Sequence, residues 1–165
     1  MKDEIDTRPK PDHATELTPA LVKYLDGLKL SERVGEAISI STVDADGWPH
    51  AAILSVGEVL AIDKQHLRFA IWAKSGTVRN IERTGLVSLA LAHEGGLWEI
   101  HLKAKRIADQ SDSPKLAFFN AEIKDVRIHK VDYADVMANV TYRLHEPEKV
   151  IKRWSKQIEE LRTAA

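Results

Sequence analysis

The chain has 165 residues, 44% of them hydrophobic and 30% charged, with a formal net charge of −1 and no cysteine. That is enough chain for one domain, 1–165, with a real core, and the charge balance gives no sign of a nucleic-acid or anionic-membrane partner. The missing cysteines exclude disulfides, thiolate catalysis and cysteine-based zinc sites.

Residues 1–14 are a polar arm containing Pro9 and Pro11. Their first eight residues are charged and have no apolar centre, so they do not read as a signal peptide. No apolar run approaches the ~20 residues that cross a bilayer. The expected location is the cytoplasm. Thr18-Pro19 supplies an N-cap and a proline at the first helical position, and Leu21, Val22, Leu25 and Leu28 recur at helical spacing. A short helix over about 19–27, ended by Gly27, is expected.

The pattern then turns to β. Ala37 to Val43 alternates and is rich in β-branched residues, and Asp46-Gly47 is a hairpin signal. The next strand is expected from Pro49 to about Leu60, interrupted at Gly57 by a bulge or a close approach of another group. After a turn at 62–65, Leu67–Trp72 reads as a buried strand. Ser75 is a good N-cap, Val78 and Ile81 lie three apart, and Gly85 is a stop, so a helix follows. Strands are expected at 86–91 and from Leu97 to about Ala108. Ser113-Pro114 predicts a helix to about Lys124, and 126–135 an edge strand or loop. The alternation Val136, Ala138, Val140, Tyr142, Leu144 predicts a final strand. Pro147 opens a C-terminal helix over 147–162 with Val150, Ile151, Trp154, Ile158 and Leu161 on one face. Six β segments joined mostly by hairpins, with a few inserted helices, point to a mainly β (α+β) antiparallel barrel rather than a βαβ sheet.

The stretch Lys74-Ser75-Gly76-Thr77-Val78-Arg79-Asn80-Ile81 carries the chemistry. The first N–H groups of a helix have no intrahelical partners, and the helix dipole is positive there. Hydroxyls and a guanidinium beside them suit a phosphate. Taken alone, the stretch is more simply a capped surface helix.

Its setting changes that reading. Residues 38–52, an apolar strand followed by Thr42, Asp46-Gly47, Pro49 and small residues, resemble the opening hairpin of pyridoxamine 5′-phosphate oxidase-like proteins. Phe69–Trp72 and the following Ser75–Ile81 resemble that family's Ser-x-Lys-x-Arg-Asn-Leu segment. The resemblance covers roughly 35–108. It implies a six-stranded split β-barrel that binds flavin mononucleotide (FMN) at a homodimer interface. It also implies cofactor contacts from Ala51, Ala52, Ile53, Leu54 and Ser55 to the ring, with Ala52 to Leu54 facing it through their backbone. Ala70, Ile71, Lys74, Ser75, Thr77, Arg79 and Asn80 would serve the phosphate and ribityl chain. Thr77 stands where the family often has lysine, so the charge falls to Arg79 and Lys74. The Lys/Glu-rich C-terminal helix offers no close counterpart of the authentic oxidase's Arg-and-His substrate clamp.

Other signals are weaker. Glu58 falls beside the expected ring, and Trp72 and Trp98 read as core or interface aromatics. Trp48, at the hairpin tip, reads as exposed. The seven histidines, at 13, 50, 66, 93, 101, 129 and 145, form no helical ligand pair, so no metal site is expected. Asp44-Ala45-Asp46-Gly47 opens like a calcium loop but has Ser55 at its twelfth position. No P-loop or Rossmann glycine pattern occurs. The expected function is flavin-dependent redox chemistry on a small-molecule substrate, with NADH or NADPH as a candidate electron donor. The alternatives are the same barrel holding deazaflavin, or haem with His101 as a candidate ligand, or a non-enzymatic flavin-binding or dimerisation module.

Overall fold

A computed structural model describes residues 12–107 and 115–164. The strands are β1 (Asp12–Ala14), β2 (Ala37–Val43), β3 (Pro49–Ser55), β4 (Val59–Ala61), β5 (His66–Trp72), β6 (Leu86–His93), β7 (Gly96–Arg106) and β8 (Leu116–His129). The helices are α1 (Pro19–Tyr24), α2 (Gly76–Thr84) and α3 (Pro147–Thr163), with a short 3-10 turn at Leu30–Arg33.

All pairings are antiparallel, in the order β3-β2-β6-β7-β8-β5-β4, with β1 added beside β8. The two ends of that order, β3 and β4, are consecutive in the chain and joined only by Val56-Gly57-Glu58. The sheet must therefore curl until its edges approach, which makes the split half-barrel. Its interior is filled by Ile38, Ile40, Leu67, Phe69, Leu89, Ile100 and Phe119. Phe69 and Phe119 are cross-strand partners whose rings stack at 5.3 Å. Leu21 and Leu25 close the interior from the α1 side, and Val78 and Ile81 from α2. A second apolar cluster lies under α3, where Trp154, Ile158 and Leu161 pack with Leu60, Ala70 and Phe118.

The mainly β split-barrel architecture agrees with the sequence reading, but several elements differ. The expected helix ending near Lys124 is instead the long strand β8; Ser113 and Pro114, its expected cap, lie outside the described residues. Ala117, Phe119, Ala121 and Ile123 recur at period two as well as resembling a helical face. The strand is chosen because β8 completes ladders with β5 and β7 at once. Residues 126–129, expected in an edge element, belong to this internal strand. The final strand expected over 136–144 is only an extended segment with one bridge, Thr141 to Glu36. Its bridge meets the chain just before β2, and β2 already pairs with β3 and β6 on its two sides, so the segment extends no ladder there. The strand expected over 49–60 breaks into β3 and β4 at the corner. There Gly57 lies against α3: a Cβ at this position would sit 2.1 Å from Trp154 Cγ. The first helix ends at Tyr24, earlier than expected. The strands therefore number eight rather than six among the described residues.

Candidate functional site

Helix α2 is fixed by local chemistry. Ser75 Oγ accepts from Val78 N at 3.2 Å, which satisfies one orphan donor, and Gly85 closes the helix at φ 68°. Gly76 and Thr77 occupy the first turn, where backbone N–H groups have no intrahelical acceptor. Asn80 and Thr42 are both buried, and Asn80 Nδ2 donates to Thr42 Oγ1 at 3.0 Å, tying α2 to β2. Arg83 donates to the Val43 carbonyl further along the same strand.

This tie sets what lies beside the helix start. In the β2–β3 hairpin Thr42 is the partner of His50. His50 therefore reaches the flank of α2 and lies over Gly76: a Cβ there would be 3.4 Å from His50 Cε1 and 3.6 Å from Arg79 Nη2. Arg79 folds back over the first turn, donating from Nη1 to the Lys74 carbonyl at 3.1 Å. Lys74 and Arg79 are exposed, Ser75 and Gly76 half-exposed. Helix-start N–H groups, the Arg79 guanidinium and the His50 imidazole thus border Gly76, with exposed Lys74 two residues before it. Such a set can hold a phosphate through charge-assisted hydrogen bonds. His50 was only one of seven scattered histidines in the sequence. The available signal was its register opposite Thr42 together with the missing side chain at position 76.

The remaining predicted residues divide by what their backbones already do. β3 pairs with β2 on one side, and its other edge is unpaired among the described residues. Ser55, on that outer edge, donates from N and Oγ to Glu58 Oε2, at 2.6 and 2.9 Å. Alternation along an antiparallel strand then puts the Ala51 and Ile53 backbone groups on the same outer edge and turns those of Ala52 and Leu54 toward β2. Ala51 and Ile53 also present exposed side chains, beside exposed Val43 and Pro49 on a common sheet face. Ala70 and Ile71 are buried, and Ala70 N is taken by the Glu58 carbonyl at 3.0 Å. Thr77 is buried, not on the exposed face with Arg79.

Glu58 stands at the corner between β3 and β4. Burial pushes its carboxyl above the usual range, against the opposing pull of the Ser55 donors and the Arg153 charge. Trp72, at the end of β5, is exposed, whereas Trp98 is buried and donates to the His93 carbonyl at 3.0 Å. His101 lies elsewhere, on the outward face of β7. Its Nε2 is 2.9 Å from Glu99 Oε1, and that hydrogen bond holds the Glu99 carboxyl below the usual range. A recess of about 540 Å³ is also remote from α2, between the β6–β7 turn and 135–141. Its polar groups Tyr24 and Glu36 are bonded to each other at 2.8 Å, and Arg33 closes the trio. No helix among the described residues is long and apolar enough to cross a membrane.

A curled antiparallel half-barrel with a capped helix opening on exposed cations is the arrangement the resemblance implied, and comparison with known proteins bears out that class. The family model described as pyridoxamine 5′-phosphate oxidase matches residues 35–139, and the chain belongs to this family. It is 34% identical over 147 residues to the uncharacterized protein YclD of Bacillus subtilis (strain 168), covering 88% of this chain and 96% of that one. Among solved structures, a candidate pyridoxamine 5′-phosphate oxidase from Lactobacillus delbrueckii superposes with a TM-score of 0.56 at 22% identity, over 72% of this chain and 98% of the other. HupZ of Group A Streptococcus gives 0.55 at 13% identity, over 73% and 100%. These structural likenesses speak for the fold.

Proposed function

We propose that the chain is an FMN-binding oxidoreductase of the split-barrel class, cytoplasmic and homodimeric, acting on a small molecule with NADH or NADPH as electron donor. The observation that carries this reading is the start of α2, where His50 and Arg79 both come within contact range of the Gly76 side-chain position. The residues fit the cofactor. Its phosphate, a dianion near neutral pH, meets Lys74 and Arg79, so the absent lysine at position 77 is compensated. Ser75 fixes the first turn, and the Gly76 and Thr77 N–H groups supply uncharged donors. The outer-edge backbone groups of Ala51 and Ile53 are the ones available to a flat polar ring, and the exposed apolar face of β2 and β3 suits a cofactor edge or a second copy of the chain. Asn80, bonded to Thr42, would hold the helix in register rather than reach the ligand through its amide nitrogen.

When bound, the flavin supplies the hydride and electron chemistry. The protein's share is to bind and orient it and to keep the phosphate end fixed. Purified chain titrated with FMN should quench flavin fluorescence and raise its own melting temperature. Bound flavin should then be bleached by NADH or NADPH under anaerobic conditions. A protein that takes up no flavin, or that carries a Soret band instead, contradicts this reading.

A further inference from the structure

A second recess lies where the end of β5 meets α3. It has a volume of about 450 Å³ and is lined by Glu58, Trp72, Lys115, Leu116, Arg153, Lys156, Gln157 and Glu160. Trp72 and Leu116 form its apolar part, and the Trp72 side chain is 53% exposed, an uncommon state for so large an aromatic. The polar part is unbalanced. Three cationic side chains face two carboxyls; among the described residues Lys156 pairs with Glu160 at 3.7 Å, the Arg153 charge acts on Glu58 from beyond ion-pair distance, and Lys115 has no carboxylate partner. Glu58 Oε2 is occupied by both Ser55 donors. Gln157 is 3% exposed, and its Nε2 has no hydrogen-bond acceptor. Buried donors of this kind are normally satisfied, so the amide marks a place where an acceptor belongs.

We propose that this recess binds a flat aromatic monocarboxylate, its ring on Trp72 and Leu116 and its carboxylate on Arg153 and Lys115. One uncompensated positive charge matches a monoanion better than a phosphate dianion. The planar guanidinium fork of Arg153 matches the two oxygens of a carboxylate. A volume of this order accepts one small ring system. The site uses none of the side chains assigned to the flavin phosphate, and its occupancy does not require the flavin.

The probe is 2-naphthoate, titrated calorimetrically into the full-length protein, with 2-naphthamide as its neutral counterpart and 2-naphthyl phosphate as a dianion. Naphthoate should bind at one site per chain and at least about tenfold more tightly than the amide. Arg153→Gln should weaken naphthoate about tenfold and the amide less than twofold, while FMN uptake is unchanged. Arg79→Ala should do the reverse, weakening FMN and leaving naphthoate binding as it was, so failure of one site is distinguishable from failure of the other. Trp72→Ala should weaken naphthoate and the amide together. The proposal is overturned if naphthoate does not bind, if the amide binds equally well, if the phosphate binds more tightly than the carboxylate, or if folded Arg153→Gln protein retains full affinity.

Discussion

Helices α2 and α3 pack on the same curled sheet and treat their polar residues in opposite ways. In α2 the polar side chains of Asn80, Ser75 and Thr84 are matched: Asn80 bonds Thr42, Ser75 caps Val78, and Thr84 Oγ1 donates to the Asn80 carbonyl while accepting from Leu86 N. Of its exposed charges, Arg79 folds back over its start, and Arg83, near its end, donates to the Val43 carbonyl. In α3 the anchor is bulk: Trp154 and Leu161 are almost wholly buried, while Trp154 Nε1 and Gln157 Nε2 are buried without acceptors. A helix set by directional bonds has a defined rotation against β2 and β3, which a phosphate cradle needs. A helix set by apolar area is stable but leaves polar groups for something else to meet.

The largest expected effect tests the apolar anchor. Trp154→Ala should cost about 3–5 kcal/mol of stability, read as a shift in the urea midpoint. Gly57→Ala should cost about 1–3 kcal/mol, because its new Cβ collides with the Trp154 ring. The two losses should add only in part, since Trp154→Ala removes the ring atoms that the new methyl meets but keeps the Cβ that it also meets. Additive losses would show that Gly57 matters for some reason other than that ring.

The directional tie should matter next. Asn80→Ala leaves the buried Thr42 hydroxyl without its donor, and should cost about 1–3 kcal/mol. It should also weaken FMN binding without removing any charge, because α2 loses its register. Asn80→Leu combined with Thr42→Val should recover part of the stability and little of the binding. Recovery of both together would mean that register is not what Asn80 provides.

A smaller effect concerns Glu58. Burial raises its folded-state carboxyl pKa above the ordinary 4.5, so ionising it costs folding energy. Its protonated form favours the fold. That contribution is complete below the unfolded pKa and lost as the pH rises through the higher folded value. Glu58→Gln keeps an acceptor for Ser55 and should leave stability nearly unchanged in acid and raise it near neutrality. Urea midpoints across pH 4 to 8 would check this (the range is chosen to start near the ordinary value). Equal midpoints for both proteins at neutral pH would contradict the sign.

The same contrast explains what the sequence reveals. α2 is legible because its cap, its apolar pair Val78 and Ile81 and its glycine stop are all local. The β2–β3 hairpin is legible for the same reason, through Asp46-Gly47 and alternation. β8 is misread because Ser113-Pro114 resembles a helix start and its alternate apolar residues fit two periods. Only its simultaneous pairing with β5 and β7 decides between them. Residues 136–144 alternate like a strand but run beside β2, whose two sides are already paired, and make only one bridge. In the candidate site, Ser75 and Arg79 announce themselves, whereas His50 reaches Gly76 only through strand register and the Asn80–Thr42 tie. The recess beside α3 is invisible in the sequence because its residues come from four separate stretches.

We propose above that the start of α2 holds a phosphate. Arg79→Ala, titrated with FMN and with riboflavin, tests it most directly. FMN affinity should fall at least about tenfold, the scale expected for loss of a charge-assisted contact, while riboflavin, which lacks the phosphate, should change less than twofold. An equal loss for both ligands, or no loss for FMN, would contradict the claim.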